Sequence, residues 1–437
     1  MRSRRVSRLA VVVLSLTWLV PVVWGQELDY EREPIAYLTA PVNDPIARLD
    51  TRISEGEASL AYDRAQGYLP SVLEALGVSP TSQVLVFSKT SFQHTRIAPQ
   101  TPRALYFGDD VYIGWVRGGD YLEISAVDPR QGAVFYLLDQ QRTARPRFER
   151  QTHTCLSCHS SGKTQGVPGH LVRSVFPDRS GQPVYNAGSF LTDHSSPLAE
   201  RWGGWYVTGT HGDQTHMGNA LVLDRDHPEQ LDIAAGGNIT DLNPRFNTRP
   251  YLTPHSDLVA LMVLEHQTQG HNRITAANYH ARLARYYDEG INKALGRPLD
   301  YLSPTSARRI ERAAEELADY LLFVGEAPLT EAVSGTSGFA ERFAALGPRD
   351  AQGRSLRDFD LRTRLFRHPV SYLIHTEAFH ALPAAIKNRV YDRLARVLTG
   401  RDDDPKYAHL DPDTRRATLE VLRGTLPDFS SEACVVP

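Results

Sequence analysis

Sulfur is scarce in this chain, which has three cysteines and three methionines in 437 residues. Three cysteines exclude a disulfide-stapled scaffold and fall short of the four ligands of a structural zinc site. An excess of one charge is lacking too, with 48 Lys and Arg against 51 Asp and Glu. That balance offers nucleic acid no basic face and anionic lipid no polybasic segment. Beyond residue 25 no apolar run is long enough to span a bilayer. A phosphate-binding glycine loop, a Ser-His-Asp elbow, a His-Glu-x-x-His helix and a fixed-length repeat are all missing.

What the chain does contain is Thr154-Cys155-Leu156-Ser157-Cys158-His159. Two cysteines three apart lie on one side of a helical turn, and a histidine follows directly. This Cys-x-x-Cys-His pentad resembles the attachment motif of c-type cytochromes. The resemblance implies one covalently attached haem c and its iron, with Cys155 and Cys158 as thioethers to the porphyrin and His159 as proximal ligand. Competing readings of the pentad are weaker. Zinc needs a second Cys/His pair, and the one other cysteine is Cys434 at the far end, where it is either an inert thiol or an intermolecular link. A thioredoxin-like dithiol wants a βαβ setting that the flanks do not offer, and a disulfide closing so small a loop would constrain almost nothing.

Residues 1–25 read as a signal peptide. Arg2, Arg4, Arg5 and Arg8 precede the apolar run Leu9 to Trp24, which Pro21 interrupts, and Val23-Trp24-Gly25 provides a cleavage site. Haem c is attached outside the cytoplasm, so export and the pentad support each other, and a periplasmic location is expected. After cleavage no stable membrane span is expected.

From there the chain divides into an α+β haem-attachment domain at 26–252 and a helical domain at 253–437. Ile46 to Leu76 has helical periodicity, interrupted at Pro70 and stopped by Gly77. Five β-branched or aromatic runs follow: Gln83–Ser88, Ala104–Phe107, Val111–Val116, Tyr121–Ala126 and Ala133–Leu138. Turn residues such as Gly108-Asp109-Asp110 and Gly118-Gly119-Asp120 separate them, which predicts an antiparallel sheet with helices on one face. The pentad then comes some sixteen residues after the last of these strands. Further strands are expected at Leu171–Phe176, Val184–Phe190 and Gly204–Thr208. Helices are expected at Ser256–Gly270 and Thr275–Leu295, either one broken helix or two, then at Ser306–Val324, Gly338–Leu346, Leu356–Phe366, Leu382–Leu398 and Asp413–Leu422. The fold class is therefore α+β, with an N-terminal antiparallel sheet carrying the haem site and a mostly helical C-terminal region. It is not the small all-helical cytochrome fold.

The second axial position of the iron separates a carrier from a catalyst. Met217, in the polar loop Gly209 to Asn219, is the leading metal ligand after His159. Met262 sits in an apolar helix and reads as core. His211, His216, His266 and His271 are rivals, and an open position is the remaining choice. Glu265-His266, where an apolar helix turns polar, is a candidate acid/base pair or a half-exposed helix face.

The expected function is single-electron transfer in the periplasm with a redox partner protein and without nucleic acid. The alternative is a haem-dependent redox enzyme or a haem-based sensor. A peroxidase-like enzyme would draw on Glu265 or His266. The hydroxylamine-oxidising c-type cytochromes are similar in placing an antiparallel sheet before a late pentad, and they cross-link a lysine to the haem. Lys89, the lysine that precedes the pentad, is the residue this resemblance would implicate.

Overall fold

The computed structural model describes residues 30–429, so the expected signal peptide and Cys434 lie outside the described residues. Two helices come first, α1 (Pro45–Glu55) and α2 (Leu69–Ala75). Asp44 caps α1 by accepting from the amides of Ile46 and Ala47, and Gly56 ends it in the left-handed region at φ 81°. Pro70 does not interrupt a helix, as expected, but lies in the first turn of α2, where a missing N–H costs nothing.

The strands are β1 (Val84–Val86), β2 (Arg103–Phe107), β3 (Val111–Trp115), β4 (Tyr121–Asp128), β5 (Gly132–Asp139) and β6 (Phe148–Gln151). Helix α3 (Leu156–His159) holds the last four residues of the Cys-x-x-Cys-His segment, followed by β7 (Arg173–Val175), β8 (Ser189–Leu191) and β9 (Trp205–Tyr206). Seven strands form one antiparallel sheet in the order β6-β5-β4-β3-β2-β1-β9, while β7 and β8 pair separately. The antiparallel α+β architecture is as expected. Strand β6 is a correction, because the pentad begins three residues after a sheet strand rather than sixteen. Phe148-Glu149-Arg150-Gln151 has little β-branched content, and as an edge strand it can carry such charge.

Helices α4 (Leu258–Leu295), α5 (Pro304–Leu321), α6 (Phe339–Ala345), α7 (Glu377–His380), α8 (Ala384–Leu398) and α9 (Pro412–Thr425) complete the chain. Asp257 caps α4 and Gly296 closes it after 38 continuous residues. No break occurs at Gly270, which meets a neighbour instead of ending a helix: a β-carbon there would lie 2.2 Å from Leu373 Cδ1. The expected helix at Leu356–Phe366 does not form. Asp360 Oδ1 accepts from the amides of Arg362, Thr363 and Arg364, and this local bonding competes with a helical ladder.

The sheet is covered on both faces. Ile113, Ile124 and Tyr136 on one face share a core with Leu49, Val72 and Leu73 of α1 and α2. On the other side, Phe107 and Tyr112 join Leu261 and Leu264 of α4 and Ile386 and Val390 of α8 in one apolar cluster. That cluster crosses residue 252/253, so the core is continuous through the expected domain boundary. Each fully buried Leu, Ile or Val in it contributes roughly 1.5–3 kcal/mol relative to exposure. Among the described residues no helix is long and apolar enough to cross a membrane.

Candidate haem cavity

The pairing register places alternate residues of the central strands in rows on the face opposite α1 and α2. Phe107, Tyr112, Ser125, Phe135 and Gln151 stand opposite one another in sequence across β2 to β6. Leu105, Gly114, Glu123 and Leu137 make the neighbouring row. Above these rows lies a cavity of about 350 Å³, within the ~300–1,000 Å³ typical of cofactor sites. Apart from Gly114, both rows line it, together with Arg103, Trp205, and Leu264 and Thr268 of α4.

Cys155, Cys158 and His159 all line this cavity. Cys155 begins the turn of α3 and accepts from the amides of Cys158 and His159 at 3.2 and 3.0 Å, which holds the two thiols and the imidazole in one compact unit. Leu156 pins the unit from behind, packed with Phe135, Tyr37 and Tyr279. Cys155 is half-buried and Cys158 exposed. Burial pushes the Cys155 thiol up to about 11, a shift that Glu123 adds to and Arg103 opposes.

His159 is the best determined member of the set. Its Nδ1 lies 2.9 Å from the carbonyl of Gly169, so Nδ1 carries the proton and Nε2 keeps the lone pair. Burial holds its pKa below the usual imidazole range, which keeps that nitrogen available to a metal. The Gly169 carbonyl is itself positioned from α4. Asn272 Oδ1 accepts from the His170 amide and Asn272 Nδ2 donates to the His170 carbonyl, both at 2.8 Å. The donor set fits haem c, with two thiols and a pre-oriented imidazole on one largely apolar cavity.

Two further groups in the cavity were not expected from the sequence. His170 lines it, with Nε2 2.6 Å from Ser125 Oγ and its ring 4.4 Å from that of Tyr112. Arg103 Nη2 and Glu123 Oε2 form an ion pair at 2.8 Å, with side chains 17% and 13% exposed. One signal was present, in that a charge at a cavity-facing position of an otherwise apolar, alternating strand is anomalous.

Met217 does not line this cavity. Its sulfur accepts from Ser174 Oγ at 3.5 Å in a buried setting. His211 and His216 pair with each other at 4.8 Å between rings and also stand outside the lining. Met262 is core, as expected. Glu265 and His266 are not on a half-exposed face but wholly buried. Glu265 bonds Arg201 at 3.3 Å, and His266 bonds His194 at 2.8 Å and Ser371 at 2.7 Å. His271 Nε2 is spent on the Asp109 carbonyl at 2.7 Å. Lys89 does not line the cavity, although the next three residues, Thr90 to Phe92, do.

The chain matches no family model, and comparison with curated proteins and with solved structures returns no match. The functional reading therefore rests on the cavity.

Proposed function

We propose that this chain is an exported c-type cytochrome that holds one covalent haem and transfers single electrons in the periplasm. One observation carries the reading: Cys155, Cys158 and His159 line a single cofactor-sized cavity, and the His159 ring is already fixed through Nδ1 with Nε2 left for a metal. Haem bound there supplies an iron centre that cycles between two oxidation states.

The chain's own contributions follow from the geometry. Cys155 and Cys158 tether the cofactor without relying on affinity alone. The Gly169 carbonyl fixes the imidazole and raises its basicity as a ligand. Leu105, Phe107, Phe135, Leu137, Trp205 and Leu264 give the cavity an apolar wall against which a porphyrin would pack. Cys158 lies at the exposed rim and marks the side from which a redox partner protein would reach the cofactor edge.

The test is expression alongside a cytochrome-maturation system, followed by an alkaline pyridine haemochrome spectrum. The expected spectrum is that of a two-thioether haem, with the Cys155→Ala and Cys158→Ala variants each shifted to a single-thioether form. Colourless protein with both thiols open to an alkylating reagent would refute the proposal. A second reading, a haem enzyme or sensor, is favoured by the charged pair in the cavity wall.

A further inference from the structure

We infer that the outer end of α4 and the turn that follows it dock on the surface of an anionic phospholipid bilayer. The inference is independent of the haem assignment, since none of these residues lines the cavity.

Every fourth residue along one side of α4 is apolar: Tyr279, Leu283, Tyr287, Ile291 and Leu295. Residues four apart lie one above another on a helix, so the five form one stripe. Its two halves differ in what covers them. Tyr279 and Leu283 are buried in a small core with Ile35 and Tyr37, against which Tyr30 packs. Tyr287, Ile291 and Leu295 are 53%, 53% and 58% exposed. The turn after α4 adds to the bare half. Asn292 Nδ2 donates to the Tyr301 carbonyl at 2.7 Å, which folds the turn back on the helix, and Leu299 and Tyr301 are exposed as well. Ten large apolar side chains are exposed among the described residues, and six of them, Tyr286 included, fall within residues 286–301. A single exposed apolar residue needs no explanation, but six together mark a contact surface.

The chain itself leads from this surface to a membrane. The arm that covers the inner half of the stripe starts, among the described residues, at Tyr30. The apolar run Leu9 to Trp24 ends six residues earlier, and six residues span at most about 20 Å. From Leu283 to Leu295 the stripe extends 12 residues, about 18 Å of helix. A run of this kind enters a bilayer during export, so the bilayer that receives it lies within reach of the bare half of the stripe.

Charge at the tip selects the lipid. Residues 282–309 contain six Lys and Arg against three Asp and Glu, whereas the whole chain has 48 against 51. One of the three acids, Asp288, is buried and accepts from the Ser303 amide at 2.7 Å. Lys293 follows Tyr286 by seven residues and so shares its side of the helix, and the Arg297 guanidinium lies 5.4 Å from the centre of the Tyr301 ring. Tyrosines and cations beside aliphatic side chains suit the headgroup layer, where a ring can be buried while its hydroxyl stays wet. A second copy of the chain fits worse, because a twofold contact would set this excess of positive charge against itself.

The experiment is flotation of the exported protein with phosphatidylcholine vesicles made with and without phosphatidylglycerol. Natural protein and variants are checked by intact mass for the same N-terminus, so that any contribution of residues 1–25 is common to all. The natural protein is expected to float with the phosphatidylglycerol vesicles. The triple variant Tyr287→Ser, Ile291→Ser, Leu295→Ser is expected to bind them about 10²-fold more weakly, with its thermal unfolding and pyridine haemochrome spectrum unchanged. Should it fail to accumulate, the double variant Lys293→Glu, Arg297→Glu, which leaves the stripe intact, is expected to lose the preference for phosphatidylglycerol. A natural protein that floats with neither vesicle, or a triple variant that binds as tightly as the natural protein, overturns the inference. So does a natural dimer that floats with neither vesicle and that the triple variant converts to a monomer, which would give the stripe to a second copy. Colourless protein that floats as expected would sink the haem assignment and leave this inference standing.

Discussion

Replacing Glu265 by Gln tests how the buried charges of the core set its pH dependence. Glu265 is fully buried on α4, and burial raises its carboxyl from the ordinary 4.5 to about 7, with Arg201 opposing that rise and Asp193 adding to it. The folded state therefore binds more protons than the unfolded state between those two values. The stability Glu265 contributes is fully present below about 4.5 and is lost as pH climbs to about 7. At 1.36 kcal/mol per unit, a shift of this size corresponds to about 3 kcal/mol. His194 and His266 titrate nearby but are present in both proteins, so they cancel when variant and natural protein are compared at each pH. Urea unfolding of both proteins at pH 4.5 and pH 8 is the assay. The stability of Glu265→Gln relative to the natural protein is expected to rise by about 3 kcal/mol from the lower to the higher pH, whatever fixed cost the amide brings. A difference that does not change with pH would show that Glu265 titrates normally and would refute the reasoning.

Two glycines in the same helix are expected to respond in opposite directions. Gly290→Ala, exposed and with no atom within 4 Å of the new β-carbon, should raise the urea midpoint through a helix-propensity gain of about 0.8–1 kcal/mol. Gly270→Ala gains as much but drives its methyl into buried Leu373, an overpacking cost of about 1–3 kcal/mol, and should lower the midpoint. Met217→Leu should leave the visible and near-infrared spectra of the holoprotein unchanged, since Met217 stands outside the cavity; loss of a near-infrared charge-transfer band would restore it as the iron ligand.

The parts of the fold that were legible are those in which local pattern and tertiary setting agree. Strands β2 to β5 read directly because their alternate residues face two cores and their turns carry Gly and Asp. The helical turn of the pentad read directly because its spacing is confined to a few consecutive residues. Strand β6 did not, since its charged residues serve an edge, and Leu356–Phe366 misled because its apolar spacing is helical while its aspartates bind their own backbone. The polar run Glu265 to Asn272 read either as an acid/base pair or as a half-exposed helix face, and each of its polar side chains is buried with the rest of the core. Its partners, among them Arg201, His194 and Ser371, are remote in sequence, and no periodicity announces them. Arg103 and Glu123 share that difficulty, because only the sheet register brings them to the cavity wall, and so does His170, which Asn272 of α4 holds there.

The long helix α4 begins enclosed and ends in water. From Leu258 to Asn272 every residue is buried, whereas Tyr286, Tyr287, Ile291 and Leu295 are exposed. Amide hydrogens along this one element are therefore graded in their access to solvent, the early turns opening only when the molecule as a whole does and the last turns fraying independently. Deuterium uptake read turn by turn along this rod would report global and local opening on a single internal scale. Because Asn272 lies within the slow segment, the backbone that steadies His159 is anchored to the part of the molecule that yields last.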